Sequence, residues 1–166
     1  MRLAGRYAVL LFVAAALSAC AYGRSAQGLR ATTYGRMPPP PGAALASESF
    51  STAEWNIDGP ICPVLYRTYA SNDANAFLAT VVRIGREKNA KYVIAKPPLI
   101  FNDDLPGYSP GAAVDDVDGT SVSLDFHDLD DPDYKAPSWI DTRAWRFVIE
   151  MRISDDYDTQ GGGCHL

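Results

Sequence analysis

The chain has 166 residues, 47% of them hydrophobic and 21% charged, with a net charge of −5. That length holds one ordinary domain with an appendage, and the composition is that of a globular protein. The acidic balance excludes the basic footprint that nucleic-acid binding needs, and it disfavours lying flat on anionic headgroups, which attract basic clusters.

In chain order, Arg2 and Arg6 precede an eleven-residue apolar run, Tyr7 to Leu17, with no acid before it. A basic start, a short apolar core and small residues at a cut site make a secretory signal peptide. The run is shorter than the roughly 20 apolar residues that a bilayer-spanning helix needs. It closes on Leu17-Ser18-Ala19-Cys20. These four residues resemble the lipobox of bacterial lipoproteins, cut by the type II signal peptidase, and the resemblance covers residues 1–22 only. It implies cleavage between Ala19 and Cys20, with Cys20 becoming an N-terminus that carries a diacylglyceryl thioether and usually an amide-linked chain. The bulky Leu17 three residues before the cut separates this order from an ordinary secretory site. One acyl chain binds a membrane only marginally, whereas several together hold it. Ala21, not Asp, follows the cysteine. In the Gram-negative lipoproteins this resembles, that implies sorting to the outer membrane. The expected location is therefore the bacterial cell envelope, lipid-anchored and facing the periplasm. Losing residues 1–19 leaves 147 residues with 13 basic against 20 acidic side chains.

Residues 20–48 read as a lipidated N-terminus and a flexible tether, rich in Pro, Gly, Ser and Ala, with no period of either kind. The run Pro38-Pro39-Pro40-Pro41 favours a stiff polyproline spacer. A flexible chain of this length reaches on the order of 30 Å. Standing the domain off the lipid explains it, and docking of the proline run in an aromatic groove is the alternative.

Residues 49–166 read as a single α+β domain. Phe50–Ile57 has strand-like content and ends on the turn Asp58-Gly59-Pro60. Val64–Tyr69 is β-branched and aromatic, a second strand. The period then changes: Ser71-Asn72-Asp73 offers caps, and Ala74–Lys88 carries Phe77, Val81 and Ile84 on one stripe with Leu78 and Val82 beside it. Arg86 and Lys88 suit its C-terminal end, and Asn89 can close it in a left-handed cap. Tyr92–Ala95 is a short buried strand, and Leu99–Phe101 a brief edge segment after the break at Pro97-Pro98. Asn102 to Ser121 reads mostly as loop. Thr120–Phe126 alternates, with Val122, Leu124 and Phe126 on one side. After a loop from Asp128 to Ser138, the last strand sets Trp145, Phe147, Ile149, Met151 and Ile153 against Arg146, Glu150 and Arg152, with Val148 the exception. Such regularity fixes register. The expected fold is a mostly antiparallel sheet of about five strands with one main helix on one face.

Cys62 and Cys164 form an even pair in an exported chain once Cys20 is acylated. A disulfide between them would close a loop of about 100 residues and contribute roughly 4–5 kcal/mol in the chain-entropy model. Free thiols are the alternative; Cys164-His165 alone supplies too few ligands for a metal. Between Lys96 and Lys135 there is no Lys or Arg but ten aspartates, Asp103, Asp104, Asp115, Asp116, Asp118, Asp125, Asp128, Asp130, Asp131 and Asp133. Solvated, charge-balancing loops account for them. A calcium loop is the sharper reading: Asp116, Asp118 and Asp125 partly match EF-hand positions, although Val114 holds the first ligand position and no helix frames the loop. A partner with a basic surface is the third reading, because charge steers encounter.

For catalysis the ingredients are thin. No nucleophile elbow, H-E-x-x-H pair or phosphate-cradling glycine loop occurs, and no cofactor is expected. His127 beside Asp125 and Asp128 has the make-up of a general base, and Asp130-Asp131 that of a glycosidase carboxylate pair. Tyr66, Tyr69, Tyr108, Tyr134, Trp139 and Trp145 read as core and loop anchors rather than as a groove. The expected function is non-enzymatic: a lipid-anchored envelope protein whose domain binds another envelope component or cell-wall partner. The alternative is a small cell-wall or periplasmic hydrolase using the Asp-rich loops and His127.

Overall fold

A computed structural model describes residues 24–52, 54–56, 59–95, 99, 110–155, 157–158 and 163–164. The leader, Cys20, most of the expected Leu99–Phe101 segment and His165 lie outside the described residues. One six-stranded sheet organises the domain, in the order β1-β4-β8-β7-β6-β5, and every neighbouring pair is antiparallel. Its strands are β1 (Ala43–Ser51), β4 (Val64–Ser71), β5 (Tyr92–Ile94), β6 (Gly111–Val117), β7 (Thr120–Asp128) and β8 (Phe147–Asp155). Two short hairpins, β2–β3 (Glu54–Asn56 with Gly59–Ile61) and β9–β10 (Tyr157–Asp158 with Gly163–Cys164), complete the strands. The helices are α1 (Ala26–Ala31) and α2 (Ala74–Glu87).

The α+β class and the main helix follow from the patterns in the sequence. Asp73 caps α2 by accepting from the Ala76 N–H, and Asn89 takes the left-handed conformation at its end (φ 56°). The buried stripe Phe77, Leu78, Val81 and Val82 packs into the main core with one face of the sheet: Leu65 and Tyr69 from β4, Ile149, Met151 and Ile153 from β8, Val122, Leu124 and Phe126 from β7, and Val114 from β6. Tyr69 meets Phe77 edge to face with ring centres 4.9 Å apart. Burying branched and aromatic side chains of this size contributes about 1.5–3 kcal/mol each.

The main sheet has six strands where about five are expected, and both surprises have local causes. β6 lies in the stretch read as loop. Asp118 and Gly119 both have positive φ (56° and 67°), the pair of left-handed central residues that a two-residue hairpin turn requires. That turn pairs Val117 with Thr120 and lays β6 along β7, with a bulge at the left-handed Asp116. β1 lies largely inside the expected tether, because Ala43–Ser51 finds in β4 a partner for its whole length.

The larger correction concerns residues 24–41, expected as part of a tether. From Arg24 onward they fold onto the domain as a belt. Ser25 caps α1, and Leu29, Tyr34 and Met37 are buried in the main core. The Tyr34 hydroxyl donates to the Val81 carbonyl of α2 at 3.0 Å. Gly85 is where helix, belt and sheet converge: a Cβ there would stand 2.6 Å from Val114 Cγ1 and 2.9 Å from the Tyr34 hydroxyl. Gly35 passes so close to the Leu29 carbonyl oxygen that a Cβ would lie 1.9 Å from it. The clamp on the belt is Arg67, on the inner face of β4 and 8% exposed. Its guanidinium donates to the carbonyls of Gly35 (2.7 Å), Tyr34 (3.3 Å) and Met37 (3.5 Å) and to Glu48 (2.8 Å). Arg30, at the last turn of α1, donates to the other Glu48 oxygen at 2.6 Å. Burial pushes the Glu48 carboxyl up, but the hydrogen bonds and charges of Arg67 and Arg30 overcome it and hold the group below its ordinary value.

Candidate functional site

β8 spans about 27 Å from Phe147 to Asp155 at ordinary strand rise, so the sheet has two distinct ends. At the Asp155 end lie Ser51, Val64 and Thr120, the two small hairpins, and Arg24. There the Arg24 N–H donates to Asp155 at 2.6 Å, its guanidinium pairs with the same carboxylate at 3.3 Å, and it donates to the Asp118 carbonyl at 2.7 Å. At the Phe147 end lie Ser71, Asp128 and the Asn72 side chain, which donates to the Ala144 carbonyl at 3.3 Å and accepts from the Arg146 N–H at 3.1 Å. Residues 129–146, between β7 and β8, leave and rejoin the sheet at this second end.

The sheet's other face is polar. Antiparallel register places Tyr66, Arg152 and Ser123 in one row, Thr68, Glu150 and Asp125 in the next, and Ala70, Val148 and His127 in the third. Asp125 thus stands directly opposite Glu150, a like-charged pair that costs stability by itself. The Arg152 guanidinium, 3.3 Å from Asp125, offsets it. Arg146 pairs with Asp128 at 3.7 Å. Val148, the exception to the polar side in sequence, is buried. The reason is beside it: Tyr134 from the 129–146 segment stacks on His127, ring centres 4.3 Å apart and planes 9° from parallel. The segment therefore covers this end of the polar face.

His127 meets Asp125, Glu150 and Asp131 as charges, as its sequence neighbourhood suggests in part, but not as an open general base. Burial pushes its pKa below the ordinary value, while Glu150, Asp125 and Asp131 pull it upward without prevailing. Tyr134 is pushed up to about 12, by burial and then by the Glu150 charge. The result is a neutral imidazole against a neutral phenol. Because the unfolded chain takes up the proton at His127 more readily, this residue leaves stability intact above about pH 6.5 and lowers it as pH falls through that value. His127→Gln should flatten the fall in thermal midpoint between about pH 7.5 and 5. Parallel profiles for the two proteins would refute this.

The aspartates of the segment build its turns. Asp128 accepts from the Asp130 N–H (3.0 Å), Asp131 from the Asp133 N–H (2.9 Å) and Asp141 from the Arg143 N–H (3.0 Å). These are the local side-chain turns that aspartate favours. Their frame leaves Trp139 53% exposed while Ile140 is buried. Asp130 and Asp131 are turn residues here.

The calcium candidates do not converge. Asp118, in the β6–β7 turn, is occupied by the Thr33 N–H at 2.9 Å and by the Thr33 hydroxyl. The hydroxyl bond, against partial burial, holds its carboxyl below the ordinary value. Asp116 is exposed at the bulge. Asp125 lies about 17 Å along β7 from Thr120 by strand rise. Among the described residues, no group of three or more His, Cys, Asp and Glu is placed to hold a metal ion. Nor, among them, is any helix long and apolar enough to cross a membrane.

Several residues that organise the molecule escape sequence reasoning: Arg24, Thr33, Tyr34 and Glu48. Arg67 left one trace, a cation between Leu65 and Tyr69 on the inward phase of a strand. No family model, curated protein or solved structure matches the chain.

Proposed function

We propose that this chain is a lipid-anchored protein of the bacterial cell envelope, held by acylated Cys20 in the outer membrane and facing the periplasm. Its domain acts by binding another envelope component rather than by catalysis. The observation that carries the binding reading is Trp139, more than half exposed in a segment framed by Asp128, Asp130, Asp131, Asp133 and Asp141. Tryptophan is the side chain most often found at the energetic centre of protein interfaces. Acids around it favour a partner with a basic surface and speed their encounter. The Tyr134 ring stacked over His127 supports binding over hydrolysis.

The same reading includes a Cys62–Cys164 bridge. Its support is backbone placement: β10, which ends at Cys164, lies beside β3, which ends one residue before Cys62. Such a bridge would fasten the chain's last residues to the sheet.

A photo-crosslinking residue at position 139, in intact cells, tests the partner. One defined adduct is expected, strongly reduced by the triple change Asp130→Asn, Asp131→Asn and Asp133→Asn. Absence of an adduct, or one indifferent to the acids, would overturn this reading. Peptide mass spectrometry of the same material reads the acyl groups on Cys20. It also shows whether the peptides holding Cys62 and Cys164 are joined before reduction and separate after it.

A further inference from the structure

We infer that β1 is a pairing edge whose occupant is β1 of a second copy of this chain, joined antiparallel about a two-fold axis at Ser49. β1 is an outer strand of the main sheet, with β4 as its neighbour. After the bulge between Leu45 and Ser47, the run Ser47–Ser51 pairs in unbroken register with Thr68 to Val64. An antiparallel strand turns the N–H and C=O groups of alternate residues away from its neighbour. Among the described residues, nothing outside β4 hydrogen-bonds the backbone of Ser47–Ser51. Ser49, at the centre of the run, is exposed. Such a row of open groups is a template for another strand.

The two edges of the sheet are built differently. β5 has three residues and follows directly on Lys91, and both features discourage pairing. β1 has nine residues and neither proline nor lysine. Its one charge, Glu48, is taken up by Arg67 and Arg30 of its own chain. Ser47, Ser49 and Ser51 give a foreign strand no charge and no pocket to select it by, but they suit a copy of themselves. In a two-fold interface one patch serves both partners. With the axis at Ser49, Ser47 faces the partner's Ser51, and Ser49 faces its own equivalent. Glu48 then faces the partner's Phe50. This axis engages the whole unbroken run. Moved by one residue to Glu48, it would set two carboxylates directly opposite each other, which costs stability. Serines facing serines exchange cross-strand hydrogen bonds. The two domains thus share one continuous sheet. This inference goes beyond the partner proposed above and does not depend on the acylation of Cys20.

The test uses the purified full chain in detergent solution, oxidised with copper phenanthroline and resolved without reductant. Facing Cα atoms in an antiparallel pair are about 4.5–5.5 Å apart, within the span of a disulfide. Ser49→Cys should therefore join to itself as a dimer, severalfold above the unsubstituted protein, whose own cysteines set the background. Ser47→Cys alone should stay at that background, because its equivalent lies on the order of 14 Å away. Ser47→Cys mixed with Ser51→Cys should join. Ser49→Lys, which sets like charges across the axis, should weaken association at least tenfold in sedimentation velocity, with its thermal midpoint unchanged. Background yield at Ser49→Cys would overturn the proposal. So would a yield no greater than that of Thr142→Cys, an exposed site far from β1, or association that Ser49→Lys leaves intact.

Discussion

Arg67→Met should lower the unfolding free energy by about 3–5 kcal/mol, the usual cost of removing one partner from a buried, hydrogen-bonded charge pair. Methionine fills the volume but donates nothing. The buried carbonyls of Gly35 and Met37 would then lose this donor, the Tyr34 carbonyl would keep only the Met37 N–H, and the half-buried Glu48 would keep only Arg30. With a urea m-value of about 2 kcal/mol/M, the midpoint falls by roughly 1.5–2.5 M. Arg67→Lys should recover only part of the loss, because a lysine ammonium cannot reproduce the planar fork that spans three carbonyls and a carboxylate. Urea titration of the three proteins decides it. A midpoint for Arg67→Met within error of the parent would mean that the belt is not held through this residue.

Removing residues 24–41 has the second large effect, and it separates a belt from a tether. A chain that starts at Gly42 loses Leu29, Tyr34 and Met37 from the core. Emptying sites of this kind costs about 2–5 kcal/mol each, against a total stability of about 5–15 kcal/mol for a domain. Arg67 loses three of its acceptors in the same step. The shortened chain should show no cooperative thermal transition and no fixed near-ultraviolet dichroism. A tether would leave both unchanged, so retention of the parent's thermal midpoint would refute the packing described here.

Once the belt is recognised, the polarity of the molecule follows. Arg24, where the described residues begin, is fastened at Asp155, so the belt starts at one end of the sheet and the 129–146 segment leaves from the other, far end. The features suited to a partner, Trp139 and the turn-forming aspartates, sit in the segment that springs from the far end. The His127–Tyr134 stack then acquires a structural purpose. It pins that segment to the sheet and so holds Trp139 on a rigid frame; in the binding role proposed above, that reduces the cost of ordering a loop.

The period of the side chains was enough to find α2, β7 and β8, because each buries one face and leaves the other in water. Alternation in Thr120–Asp128 and Phe147–Asp155, and the 3.6-residue stripe from Phe77 to Val82, are local consequences of that single requirement. Asp73 and Asn89 likewise act on backbone groups within a few residues of themselves. The α+β class was therefore readable before any contact was known. β6 is readable in principle, since the Asp118-Gly119 pair is a hairpin signal, but its aspartates read equally as metal ligands. The belt was not readable. Leu29, Tyr34 and Met37 are spaced irregularly, they are buried by a core built from distant elements, and the backbone of 34–37 is held by an arginine 30 or more positions away in sequence. Nothing local distinguishes a segment whose carbonyls are satisfied by water from one whose carbonyls are satisfied by a guanidinium on a distant strand. The chain's own pattern decides which faces are apolar and where helices end. Only the folded arrangement decides that Arg67 meets Gly35, that Asp125 parts from Asp118, and that His127 lies beneath Tyr134, because those energies exist only when residues far apart in sequence share one desolvated space.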